Sequence, residues 1–315
     1  MKTLTKILIV VAIIAVIVGG VFFALGIVKE LNKPIELITN SYDYDGDFEN
    51  IDIQVDITNL EFKLSTESKT VVECKEREKA YHTVDFENNT LTIKYIDELK
   101  WHEKLFGFIS PKLTIYLKES TYNQLNIKLS TGSINISNEF SFNDANIKVS
   151  TGDVTFNGSV TNNLKLEAST GDIHLSDVSA KTMNLEASTG RITLTRCNAL
   201  ENVNIKTTTG RQTLEDVTCK NLTINASTGK ISLKNTILTE KLTIKASTGD
   251  ITLDRCDAAE ISIETTTGDV NGTLLSDKIF FAQSDTGKPN VPKSTTGGIC
   301  DVKTDTGDIN FSIVN

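Results

Sequence analysis

The sequence predicts an all-β fold: a β-solenoid, or β-helix-like stack, of 19–20-residue coils with an N-terminal β cap, preceded by one transmembrane helix. Three observations carry this. A Ser/Thr/Asp-Thr-Gly triplet recurs from residue 130, with glycines at 132, 152, 171, 190, 210, 229, 249, 268, 287 and 307. Helical repeats need ~33 residues or more, so the short period selects strands. Between glycines, apolar residues alternate with polar ones and Thr, Ile and Val dominate, the signature of half-buried strands. Residues 7–28, finally, are 22 consecutive residues without a charge.

The apolar run comes first along the chain. A 22-residue helix rises about 33 Å, enough for a ~30 Å hydrocarbon core. A cleaved signal peptide is the rival reading, but its apolar region runs only ~7–15 residues. Lys2 and Lys6 precede the run, whereas Lys29, Glu30, Lys33 and Glu36 cancel after it. The positive-inside rule then places the N-terminus in the cytoplasm and the bulk of the chain outside, as a single-pass protein of the cell membrane. Residues 1–28 are thus expected to form an anchor, and 29–46, with Pro34 and a polar run, a tether.

Residues 47–129 contain the strand-like runs 51–57, 60–64, 71–74, 91–95 and 113–117, together with the only Trp and most of the Tyr. This segment is expected to cap the stack, because an open solenoid end exposes unpaired strand edges. From 130 to 315 the coils repeat. In one, Ile173, Leu175, Val178, Ala180, Met183, Leu185 and Ala187 face inward, while Asp172, His174, Asn184 and Glu186 face solvent. The inward positions recur as Ile251, Leu253, Cys256, Ala258, Ile261, Ile263 and Thr265. Stacked at ~4.8 Å per coil, they form one continuous core in a rod roughly 45 Å long. Glycine supplies the corner because it alone reaches the required backbone angles without a Cβ penalty. The neighbouring hydroxyls can bond local backbone groups there.

The chain resembles the bacterial putative-adhesin β-strand-repeat family, whose units are called toastrack domains. The matching stretches are Ile51–Ile57, Asn89–Ile93, Leu113–Leu117, the Thr-Gly-Asp coils, and the closing run from Ser284–Gly287 through Gly297-Gly298 to Thr306–Ile309. That resemblance covers about residues 45–315 and implies a non-enzymatic, membrane-tethered domain facing outward, often accompanying envelope-stress systems of Gram-positive bacteria. It brings no ligand or catalytic residue with it.

Chemistry-bearing residues are sparse. Past residue 28 the chain holds 30 basic and 41 acidic side chains, which argues against nucleic-acid binding. His82, His102 and His174 lie far apart in the sequence, so neither a metal site nor a catalytic triad is expected, and no cofactor. Cys197, Cys219, Cys256 and Cys300 fall at inward positions as small hydrophobes, and Cys74 is unassigned. The residue after each corner glycine forms an outward column: Ser133, Asp153, Asp172, Arg191, Arg211, Lys230, Asp250, Asp269, Lys288 and Asp308. Its Asp pairs are poor calcium ligands, since that ion takes six or more oxygens. Arg191, Arg211 and Lys230 are the candidate site for an anionic partner, a cell-envelope component or membrane protein, against the plainer reading of a solvated face. Trp101, Phe106 and Phe108, near Lys100 and Lys104, suit a membrane interface or partner groove, or else a plug over the cap. Gln212 interrupts an apolar column and is expected to mark a bend or a hydrated spot.

The function expected is a membrane-anchored extracytoplasmic binding module, adhesin-like or an envelope-stress accessory. The alternatives are a self-assembling β-solenoid scaffold and a polysaccharide-active β-helix enzyme. Residues 132–315 contain no Trp or Tyr, and His174 is their only His, which disfavours a sugar-processing site.

Overall fold

Thr182–Thr189 shows why these residues make a coil. Met183, Leu185 and Ala187 alternate with polar neighbours and are buried, and the strand pairs in parallel with Asn163–Thr170 on one side and Asn202–Thr209 on the other. After Gly190 the chain crosses to a second sheet, where Ile192–Thr195 pairs with Ile173–Ser176 and Gln212–Glu215. Repetition builds two facing sheets, of 14 and 16 strands, with the core between them. The computed structural model describes residues 36–101 and 111–314. The apolar run 7–28, the first part of the tether, and Phe106 and Phe108 lie outside them. Among the described residues no helix is long and apolar enough to cross a membrane.

All fourteen inward positions of the two coils read from the sequence are buried, at most 4% exposed. The outward Asp172, His174, Asn184 and Glu186 are half-buried rather than exposed. Adjacent coils stand a strand spacing away on both sides and shade them.

The glycine corner has φ from +135° to +157° at Gly132 through Gly268. Its N–H donates to the Thr carbonyl of the next coil, as from Gly171 to Thr189 at 2.9 Å. The expected bond from a corner hydroxyl to local backbone occurs at Gly287, whose N–H donates to Ser284 Oγ at 2.8 Å, whereas among the described residues the hydroxyls of Ser169, Thr170, Ser188 and Thr189 make none. Their backbones are already satisfied between coils, and the threonines stack in register, Thr151 on Thr170 on Thr189 on Thr209. A second corner uses a non-glycine residue in the left-handed region: Asp177, Arg196, Asp216, Asn235 and Arg255, with φ between 47° and 59°. Asp and Asn tolerate that conformation best. Arg196 is held there by a fork of hydrogen bonds to Asp177, 2.6 and 2.7 Å, which pulls the Asp177 carboxyl down to about 2.

Stacking order departs from chain order at both ends. Asn50–Ile57 pairs in parallel with Thr121–Thr131, and Asn59–Leu64 with Lys112–Leu117, so the parallel stack already begins inside 47–129. Ile57 and Thr58 take the corner there in place of Thr-Gly, Ile57 in register with Thr131 and Thr58 against Gly132. Thr90–Asp97 lies outside Asn50–Ile57 although it follows it in sequence. The cap is antiparallel and begins earlier than residue 47: Ile38–Tyr44, expected in the tether, pairs with Thr70–Glu76 and closes one sheet, and Ala80–Glu87 on Thr90–Asp97 closes the other. At the far end Gly298–Thr306 slots between Glu260–Thr267 and Lys278–Ser284, leaving the earlier segment outermost.

Gln212 neither bends the stack nor shifts register, sitting in line between Ile192 and Ile231. It is fully buried, its amide nitrogen donates to Thr207 Oγ1, and its Oε1 has no partner. Replacing Gln212 by Ile together with Thr207 by Ala would reproduce the neighbouring coils. We expect about 1–2 kcal/mol of added stability, because an unpaired buried carbonyl is removed. A urea midpoint that falls instead would show that the amide is satisfied.

Candidate functional site

The corner column is an exposed edge along the rod, and its carboxylates have a structural task. Asp153 Oδ1 accepts from Asp172 N at 2.8 Å, Asp172 Oδ1 from Arg191 N at 2.7 Å, and Asp250 Oδ1 from Asp269 N at 3.2 Å. Asn59 does the same for Ser133 N at 3.0 Å. Each acidic side chain thus caps a backbone N–H of the following coil. Because the C-terminal coils interchange, Asp269 caps Asp308 (2.8 Å) and Asp308 caps Lys288 (2.9 Å). The column therefore ends Asp250, Asp269, Asp308, Lys288 in space, not in chain order.

The three basic residues differ from one another. Arg191 forks onto Asp172 Oδ2 through Nε at 3.0 Å and Nη2 at 2.7 Å. Burial pushes the Asp172 carboxyl up, but the hydrogen bonds from Arg191 outweigh it and hold it below its ordinary value. Arg211 and Lys230, both exposed, form no side-chain hydrogen bond or ion pair among the described residues. They follow the point where the carboxylate ladder stops. Other outward charges pair across coils, as Lys206 with Glu186 (2.8 Å), Lys234 with Glu215 (2.6 Å) and Lys241 with Glu260 (2.5 Å). Two uncommitted cations on neighbouring coils are chemically able to take a phosphate or carboxylate. Trp101, of the other candidate group, is 75% exposed.

All five cysteines are free and buried. Burial raises the thiols of Cys219 and Cys300 to about 12, that of Cys256 to about 11, and that of Cys197 as well. They are core residues.

Cys74 sits differently. It shares a strand face with Glu76, across a turn from His82, and one donor atom of each lies within 4.8 Å of the others. The three side chains are fully buried. Glu76 Oε2 lies 2.6 Å from His82 Nδ1 and accepts from His82 N at 2.7 Å, while Oε1 accepts from Asn40 Nδ2 at 2.6 Å. Comparing the three histidines with one another in the sequence missed this cluster. The signal was Cys-x-Glu followed by His six residues later, two inward positions and a turn.

A two-sheet parallel β-solenoid with an antiparallel cap and an exposed corner ladder defines the class of protein. The chain belongs to the Toastrack DUF4097 family, whose profile matches residues 48–312. Three solved structures are similar to it. One is described as a putative adhesin from Bacteroides fragilis, 16% identical, covering 89% of this chain and 98% of its own, with a TM-score of 0.43. A second so described, from Parabacteroides distasonis, is 11% identical over 88% and 97%, with a TM-score of 0.48. The third, from the same organism, is described as a putative lipid binding protein and is 13% identical over 88% and 97%, with a TM-score of 0.38. No curated protein matches the chain.

Proposed function

We propose that the chain is a non-enzymatic binding module, tethered to the cell membrane through residues 7–28 and held outside the cytoplasm, adhesin-like or an accessory to the envelope-stress response. Its partner is an anionic cell-envelope component or membrane protein. The observation that carries the binding reading is the uncommitted pair Arg211 and Lys230, on a rod whose other corner charges are mostly tied to the backbone or to each other. Arg191 flanks the pair and can exchange its solvent-exposed, weakly stabilising bond to Asp172 for a ligand. The uncharged 22-residue run and its flanking lysines support the topology.

Protease added to intact cells should cut between the apolar run and the first cap strand, Ile38–Tyr44, and release the solenoid. Substituting Arg191, Arg211 and Lys230 together by Ser should then abolish salt-sensitive binding of the released domain to envelope polyanions. Protection from external protease would sink the topology. Binding unchanged by the triple substitution would move the site toward Trp101. A scaffold reading has one observation in its favour: Lys278–Ser284 is the outermost strand of its sheet, with Phe281 57% exposed. Concentration-dependent growth of filaments would select it.

A further inference from the structure

We infer that the corner ladder contains a gap that takes the carboxylates of an acidic polypeptide segment, one seated at Arg211 and one at Lys230. The inference rests on the binding role proposed above for these two residues and deepens it, naming what they bind and through which atoms.

Along the column, an acidic or amide side chain closes the backbone N–H of the next coil. Asn59 closes Ser133 N, Asp153 closes Asp172 N, Asp172 closes Arg191 N, and Asp250 closes Asp269 N. A basic side chain cannot accept a hydrogen bond, so each one leaves the next N–H open. Arg191 leaves Arg211 N, Arg211 leaves Lys230 N, and Lys230 leaves Asp250 N with no acceptor among the described residues. The same replacement of an acid by a base therefore opens an N–H and adds a cation on the same edge. Asp153 N is open as well, after Ser133. At Asp153 and Asp250, however, the residue's own carboxylate opposes an incoming anion. At Arg211 and Lys230 the side chain adds to the attraction, and N–H groups clustered beside fixed cations favour anions.

The preceding coil shows how such a place is filled. Asp172 accepts from Arg191 N through Oδ1 at 2.7 Å, and through Oδ2 from Nε and Nη2 of the same arginine at 3.0 and 2.7 Å. One carboxylate thus takes the backbone N–H and the guanidinium of a single residue together. Arg211 presents the same donors one coil on, and Lys230 an N–H and an ammonium a coil further, about 4.8 Å along the rod. A planar two-oxygen group fits this pattern, as in other guanidinium–carboxylate forks. These coils also carry a shallow depression directly before the corner, lined by Lys206, Thr208, Asn225, Ser227, Lys245 and Ser247. Its hydroxyl, amide and ammonium groups suit a peptide backbone running off the ladder, which a lone anion would not use.

The test titrates hexaglutamate and, separately, polyphosphate into the full chain in uncharged detergent micelles, at low and physiological salt. Hexaglutamate should bind with salt-sensitive affinity and shift the backbone amide resonances of Arg211 and Lys230. Those of Arg191 and Asp269, already bonded within the fold, should move less. Two variants of equal charge isolate the N–H group. Arg191→Asn can close Arg211 N as Asn59 closes Ser133 N, whereas Arg191→Ala cannot. The asparagine variant should bind hexaglutamate roughly tenfold more weakly than the alanine variant. Equal affinity of the two, or an Arg211 amide that does not respond to bound hexaglutamate, overturns the inference and leaves the proposed binding role standing. Polyphosphate held at Arg211 and Lys230 where hexaglutamate is not would overturn the carboxylate assignment alone. Binding of neither would remove the proposed role as well. The amide shifts are read on the unmutated protein and decide the matter even if a variant does not fold.

Discussion

Leu175→Asp should destabilise the solenoid by at least about 4 kcal/mol, enough to leave much of the chain unfolded at 37 °C. Leu175 is 2% exposed, in register with Phe156 in the coil before and Leu194 in the coil after, both fully buried. The substitution removes a buried aliphatic side chain and sets a carboxylate between those two neighbours, with no cation facing it. Glu186→Lys, by contrast, should fall within about 0.5 kcal/mol of the parent. Glu186 is outward, pairs with Lys206 at 2.8 Å across an exposed bridge, and stands beside Glu167 in the preceding coil. A lysine there loses one partner and gains the other. Urea titration of the two variants side by side is the measurement. Similar midpoints would mean that the inward and outward faces have been exchanged.

The repeat was legible because every coil solves the same problem with the same letters. An alternation of two assigns the faces, and a glycine every 19 or 20 residues fixes the corner. The second corner was not read, since it has no single residue type. Its triplets, such as Ser176-Asp177-Val178 and Thr195-Arg196-Cys197, share only a left-handed polar residue before an inward one. The interchange of coils at each end was also beyond sequence reasoning. Local alternation determines which side of a strand is buried, but not which neighbour it pairs with, and Gly287 keeps the period while stacking on Gly307 instead of Gly268. Of the candidate site, the column of Arg191, Arg211 and Lys230 was visible as a spacing. That Arg191 is engaged by Asp172 and the other two are not depends on side-chain reach across coils. The Cys74 cluster was hidden for a related reason: its donors meet through a cap turn outside the repeat, where no period announces them.

Gly190→Ala should cost about 3–5 kcal/mol, although only one methyl group is added. At φ +149° an L-residue is strained, and a Cβ at this corner would fall on the backbone carbonyl of Gly171 in the preceding coil. That carbonyl is not the end of a flexible side chain. Moving it means opening the inter-coil ladder in which Gly171 N donates to Thr189 O at 2.9 Å. Thr189→Ala, one residue away and exposed, should stay within about 0.5 kcal/mol, so that the cost belongs to the glycine and not to the corner at large. Gly190→Asn separates the two possible causes. Asparagine is the side chain that best tolerates left-handed angles, but those centre near φ ≈ +57°, far from this corner, and its Cβ meets the same carbonyl. If the close approach of the coils dominates, the asparagine variant should be no better than the alanine variant by urea midpoint. Recovery of half the loss or more by asparagine would place the penalty in the backbone angle of residue 190, and the stack would then have room at its corner for a Cβ.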